Sequence, residues 1–198
     1  LDKTGEVMEP TFCYRDDRNQ RGIDRALDKL SWEAIYKETG IQFVQINSLF
    51  QMAAESKERI EQMRTFLPLG DGFNYLLCGV AKAEISLAST TQLYNPRTGN
   101  WADKILDTFN WDHGKFPELI PSGTRLGTLK PELAEESGLT EIEVIASCSH
   151  DTGSAVAAVP AEGSDWAYLS SGTWSLIGVE LPEPIITDQS RELNFTNE

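Results

Sequence analysis

A chain of 198 residues with 31 acidic and 17 basic side chains carries a formal charge of −14, and its Lys and Arg residues are scattered rather than clustered. That composition offers no electrostatic footprint for a phosphate backbone, and no apolar run is long enough to cross a bilayer, so neither nucleic acid nor membrane is an expected partner and a cytoplasmic setting is the default. The acid excess reads as solubility.

The length allows one large domain, or one domain with part of another. The chain opens at "LDKTGEVMEP" and stops at "LNFTNE", which reads as an internal fragment. From Asn19 to Leu30, Ile23, Ala26, Leu27 and Leu30 fall at helical spacing, and a second helix is predicted from a Ser31 cap to a stop at Gly40. Residues Leu49 to Arg64 read as one longer amphipathic helix, and "DGFNYLLCG" as a short one closed by Gly79. The stretch "NPRTGNW" (95 to 101) has turn chemistry, and helices are predicted over Ala102 to Phe109 and in "KPELAEESG", with Pro131 at the start and Gly138 at the stop.

The period then changes. "EVIASC" (143 to 148) is a strand candidate, "TGSAVAAV" (152 to 159) a small-residue helix, and "WAYLSSGTWSLIGVEL" (166 to 181) two strands around a tight Ser-Gly-Thr turn. Residues 160 to 165 read as the link between two structural units. Cys13, Cys78 and Cys148 form no C-x-x-C pair, which argues against a disulfide framework or a zinc site; each reads as a small apolar filler.

The chemistry concentrates in "SHDTGSAVAAV" (149 to 159). The tetrapeptide Asp151-Thr152-Gly153-Ser154 has the form of an aspartic-protease motif, but that chemistry needs two carboxylates sharing a proton, and no second D-[TS]-G is present. Polar Ser149 and His150 before the acid, and alanines after it, also disfavour that reading. Asp151 as a helix cap is the bland alternative. His113 is the only other histidine, too few for a His-Asp metal site, and sits in a polar turn, "NWDHGK". Ser170 and Ser171 are not on a G-x-S-x-G elbow, and no Walker loop or G-x-G-x-x-G occurs. The turn in "LSSGTWS" (169 to 175) can point backbone N–H groups and the Thr173 hydroxyl at a phosphate; a plain hairpin turn is the competing reading. Asp151 lies 22 residues before Thr173, close enough for the two to face each other across a cleft between the units.

These residues resemble the FGGY carbohydrate kinases. The segment "ASCSHDTGSAVAAVPAEGSDWAYLSSGTWSLIGVEL", together with "CYRDDR", "GIQFVQINSLFQM" and "STTQLYNPRTGNW", is similar to the branch of that family acting on L-rhamnulose, and the likeness covers nearly the whole chain. Gly153 departs from it, standing where members commonly carry alanine. The resemblance implies an α/β, actin-like (ribonuclease H-like) sugar kinase fold, here incomplete: most of the first, sugar-side domain over residues 1 to 160, and the opening hairpin of the second, nucleotide-side domain over 161 to 198. It implies transfer of the γ-phosphoryl of ATP, with Mg²⁺, to a ketose hydroxyl. Asp151 is then the base, His150, Asp151 and Thr152 the sugar contacts, and Gly172 and Thr173 the ATP contacts. The D-x-G-x-S phosphate loop and the adenosine domain of such kinases do not occur in this stretch, so the chain alone is expected to be inactive, with an unpaired sheet edge inviting self-association. Xylulose, fuculose or glycerol as acceptor, and a non-catalytic actin-like or sugar-binding fragment, remain open alternatives.

Overall fold

The computed structural model describes residues 1–198. Two helices joined by a short link open the fold, α1 (Arg18–Lys29) and α2 (Trp32–Thr39). The Ser31 side chain accepts from the Ala34 amide at 3.2 Å, starting α2, and Gly40 ends it in the left-handed conformation at φ 68°. Ser31 thus satisfies one of the amide donors that a helix start leaves orphaned, and glycine takes the positive φ without a Cβ clash.

The single helix expected over 49 to 64 is instead two, α3 (Ser48–Ala53) and α4 (Lys57–Gln62). The reason lies on α1. Arg21 Nη2 donates to the Ala54 carbonyl at 2.9 Å, and Arg25 Nη1 donates to the Ala53 and Glu55 carbonyls at 3.1 and 2.9 Å. Those oxygens are capped by side chains instead of by the next helical turn. Ser56 then starts α4 by accepting from the Arg59 amide. The apolar period runs on across the break, which is why the sequence pattern alone shows one helix.

α5 (Leu69–Cys78) closes at Gly79 as expected, with φ 77°. Beyond it come β1 (Ala83–Glu84), α6 (Ile85–Ser89), β2 (Tyr94–Asn95), β3 (Asn100–Trp101) and α7 (Asp103–Phe109). Next are β4 (Leu119–Ile120), β5 (Arg125–Thr128), α8 (Pro131–Ser137), β6 (Glu143–Ile145) and α9 (Asp151–Ala157). β7 (Ala167–Ser171), β8 (Ser175–Val179) and α10 (Asp188–Glu192) complete the chain. The strands pair two by two: β1 with β4 in parallel, and β2 with β3, β5 with β6 and β7 with β8 antiparallel. Two sequence expectations need correcting. The strand expected over 143 to 148 stops at Ile145, because past Ala146 the chain turns away from β5 and bonds elsewhere. Cys13 is exposed rather than a filler; only Cys78 and Cys148 are partly buried.

The core gathers Ile23 and Ala26 of α1, Ile35 of α2, Leu49, Phe50 and Met52 of α3, Leu93, and Ile105 and Leu106 of α7. Around it run aromatic contacts: Trp32 meets Phe43 edge-on at 5.2 Å, and Trp101 meets Phe116 at 5.4 Å. Trp101 keeps its indole N–H satisfied by donating to the Pro117 carbonyl at 2.7 Å. The β7–β8 hairpin stands apart from this core, and its outer face leaves Leu169 and Ile177 mostly exposed, 69% and 74%.

α1 and α3 touch backbone to backbone. A Cβ placed on Gly22 would lie 1.9 Å from the Phe50 carbonyl oxygen and 3.0 Å from the Ala54 amide nitrogen. Intrinsic propensity favours Ala over Gly inside a helix by about 1 kcal/mol. Packing decides the opposite sign here, and Gly22→Ala should lose about 1–3 kcal/mol, the range of overpacked sites. Urea unfolding of the two chains measures it; a variant more stable than the parent contradicts the packing argument.

Candidate functional site

One cleft of about 600 Å³ collects His150, Asp151, Thr152, Gly172 and Thr173. The Ser149–Thr152 turn forms its floor with His150, Asp151 and Thr152; the β7–β8 turn supplies Gly172, Thr173 and Trp174. The loop between α2 and α3 lines a wall through Ile41, Gln42, Val44, Ile46 and Asn47, and Thr90 adds a hydroxyl. Tyr14, Arg15, Thr196 and Glu198 also line it.

Asp151 is the first residue of α9 and His150 takes the N-cap position, without a side-chain cap bond. The cap reading of Asp151 is therefore corrected by one position. Its Oδ1 accepts from the Thr152 amide at 2.8 Å, while the side chain is fully exposed in the cleft. The helix that follows the acid is the segment that a protease motif would continue as strand, so the D-T-G-S form is not used in that way. A Cβ at Gly153 would sit 3.0 Å from Cys148 Sγ, a tight contact, so an alanine there requires the sulfur to give by a few tenths of an ångström.

His150 lies beside a residue that the sequence reading passed over. Its Nδ1 lies 3.3 Å from Glu198 Oε2, and its Nε2 lies 3.9 Å from Asp151 Oδ1. Burial pushes the Glu198 carboxyl up, partly offset by His150. A lone acid in the segment that follows α10 carries no motif signal. That segment nonetheless folds back onto the wall: Tyr36 Oη donates to the Phe195 carbonyl at 2.9 Å, Asn197 Nδ2 donates to the Gly40 carbonyl at 3.0 Å, and the Phe43 amide donates to Asn194 Oδ1 at 3.0 Å. From the other side, Gln92, wholly buried with φ 60°, donates through Nε2 to the Ile41 and Gln42 carbonyls, each at 3.2 Å.

The β7–β8 turn differs from expectation in one respect. The Gly172 amide is committed to the Trp174 carbonyl at 2.9 Å, so it is not free to face a phosphate. The Thr173 and Trp174 amides lie outside the backbone hydrogen-bond pattern. His113 lies away from the cleft in a single 3-10 turn, its ring between Asp103 and Asp107 at 3.1 and 2.8 Å; the Asp107 bond and both charges raise its pKa. No group of three or more His, Cys, Asp or Glu side chains comes together as a metal cage. No helix is long and apolar enough to cross a membrane.

Two acids are buried behind the floor. Burial tends to raise Glu84, but hydrogen bonds from Ser122, Ser86 and Ser149 outweigh it and hold the carboxyl below its usual range. Asp71 has fewer partners. Burial pushes it up to about 6, opposed by one bond from the Glu84 amide and reinforced by the Glu84 charge. Its Oδ2 has no partner.

Residues 1–158 match the family described as "FGGY family of carbohydrate kinases, N-terminal domain". The chain belongs to that family. It is 40% identical over 196 residues to a rhamnulokinase of Ligilactobacillus salivarius, covering 99% of this chain and 40% of that protein. It is 41% identical over 198 residues to a rhamnulokinase of Bacillus subtilis, covering 100% of this chain and 41% of that one. The chain thus spans about two fifths of the length of these relatives. Among solved structures, the ligand-bound xylulose kinase of Lactobacillus acidophilus superposes with a TM-score of 0.80 at 18% identity, covering 96% of this chain and 39% of that one. That likeness establishes the actin-like sugar kinase fold.

The titration of Asp71 is open to measurement. Its folded pKa of about 6 lies above the unfolded value of about 3.9. Its contribution is therefore fully present below about pH 4 and lost as pH rises through about 6, since the folded state binds the proton more tightly. Asp71→Asn keeps the site neutral throughout. The variant should gain thermal stability relative to the parent as pH rises from about 4 to 7. Circular-dichroism melts across that range give the comparison, and parallel curves refute it.

Proposed function

We propose that this chain forms the sugar-holding side and part of the cleft of a cytoplasmic, ATP-dependent ketose kinase, with L-rhamnulose as the acceptor and its 1-hydroxyl as the nucleophile. Residues 1 to 160 belong to the sugar-side domain and 161 to 198 open the nucleotide-side domain. The observation that carries the reading is Asp151, an exposed carboxylate at the cleft floor on the S-H-D-T sequence, lining the same cavity as the Gly172–Thr173 turn. Identity near 40% to proteins named rhamnulokinase, against 18% to the xylulose kinase, favours L-rhamnulose over other ketoses.

In this reading Asp151 accepts the proton of the sugar hydroxyl as its oxygen forms the bond to the γ-phosphorus. The bond from that phosphorus to the β–γ bridging oxygen breaks, ADP leaves, and the proton passes from Asp151 to solvent. Phosphoryl transfer of this kind needs mainly positioning and charge stabilisation. His150, with Glu198 beside its ring, and Thr152 hold sugar hydroxyls on either side of the base. Thr173 meets the ATP phosphates through its hydroxyl and amide; Gly172 gives the turn its shape and its amide closes it. Mg²⁺ would enter with ATP, as the MgATP substrate, and supply charge neutralisation on the phosphates.

Two substitutions in a protein of full family length test the assignments. Asp151→Asn retains an acceptor for the Thr152 amide but cannot take a proton, so kcat for L-rhamnulose should fall by about 10²- to 10⁴-fold with sugar KM and melting temperature little changed. Near-parental turnover would refute the base. Thr173→Val removes a hydrogen bond to a charged group, about 1.5–3 kcal/mol, and should raise KM for ATP about tenfold or more without altering sugar KM. Unchanged ATP kinetics return the segment to a plain hairpin.

A further inference from the structure

We propose that Glu84, acting with Ser86, is a positioning residue that fixes the backbone of the Ser149–Asp151 turn and so aims Asp151 into the cleft. The inference rests on the kinase reading for the role of Asp151, but the clamp itself is a matter of geometry.

Glu84 is 1% exposed. Its carboxylate has no cationic partner and is instead surrounded by donors. Oε1 accepts from the Ser86 amide at 3.0 Å and from Ser122 Oγ at 2.6 Å. Oε2 accepts from Ser86 Oγ at 2.5 Å, from the Leu87 amide at 3.3 Å and from the Ser149 amide at 3.4 Å. Ser86 Oγ, having donated to Glu84, accepts from the His150 amide at 3.3 Å. Two consecutive amides immediately before Asp151 are thereby tied to one corner, the junction of β1 and α6.

The tie matters because this stretch has no ladder of its own. β6 ends at Ile145 and α9 begins at Asp151. Between them, the Ala146 amide donates to the Thr124 carbonyl at 2.9 Å, and Ser154 Oγ donates to the Cys148 carbonyl at 2.6 Å. The clamp supplies the anchors at 149 and 150. α5 closes in from behind: a Cβ on Gly70 would meet Ser149 Cβ at 3.1 Å. A carboxylate accepts hydrogen bonds on both of its oxygens, whereas an amide accepts on one and presents a donor in place of the other, and this accounts for an acid at a buried position without a counter-charge. The residue touches neither the cleft nor any atom that reacts; it acts through the turn.

The experiment uses a protein of full family length, in the parent form and as Glu84→Gln and Ser86→Ala. Ser86→Ala removes the acceptor of the His150 amide and one donor to Glu84, leaves the Glu84 carboxylate itself in place, and serves if Glu84→Gln does not fold. Steady-state kinetics and residue-resolved amide exchange are measured on each folded variant. A misplaced catalytic group costs up to about 100-fold, so kcat should fall by about 10- to 100-fold in Glu84→Gln, and by less in Ser86→Ala, with KM for ATP held within about twofold. Exchange should accelerate at Ser149 and His150 and not across α1 to α3. Parental kcat together with unchanged exchange at these two amides overturns the proposal, as does a loss of melting temperature with full turnover per folded molecule. If the parent itself fails to phosphorylate L-rhamnulose, the functional reading falls, and the exchange measurement still decides whether Glu84 and Ser86 hold the turn.

Discussion

The cleft depends on side chains that hydrogen-bond to distant backbone. Every strand pair in the chain is a separate two-stranded unit, so no continuous ladder carries position from one wall to the next. Glu84 and Ser86 tie down the floor, Gln92 holds the near end of the α2–α3 loop, and Tyr36, Asn194 and Asn197 bring the segment after α10 against the same loop. A single bond of this type contributes about 1 kcal/mol net, yet leaving its buried partner bare costs more. Register at the cleft is thus held by the cost of breaking these bonds more than by the gain of making them.

The helical layer supplies the rigid ground on which those ties act. α1 meets α3 through Gly22, and the arginines of α1 finish α3 by taking its last carbonyls. The start of the α2–α3 loop is pinned by Gly40 in its left-handed conformation, and its end by Asn47 ahead of α3. A wall anchored at both ends keeps the space facing Asp151 open. The β7–β8 hairpin, outside the core, turns its other residues toward the same space.

Local chemistry was legible in the sequence. Ser31, Gly40, Gly79, Pro131 and Gly138 marked helix ends because capping and positive φ depend on residues adjacent in the chain. The β7–β8 hairpin and the helix after Asp151 followed from period and composition. The break between α3 and α4 did not, since its cause is a pair of arginines about thirty residues upstream. For the site, the S-H-D-T run and the Gly-Thr turn pointed to the cleft before any coordinates. Glu198 and Glu84 did not stand out: one is an isolated acid following α10, the other an acid that caps the start of α6, and the link of each to the site runs through groups many residues away. The commitment of the Gly172 amide to Trp174 was likewise invisible, because turn composition does not say which amide closes the turn.

The bonds that hold the α2–α3 loop are nearly all made to its main chain. Gln92 reads the carbonyls of Ile41 and Gln42, Asn197 that of Gly40, and Asn194 the amide of Phe43. A peptide group is the same whatever side chain it bears. Ile41, Gln42, Val44 and Ile46, which face the cleft, are therefore released from the duty of keeping the wall in place. Mutational drift at these positions can reshape the cavity while its frame stands, so the lining and the scaffold are able to evolve at separate rates.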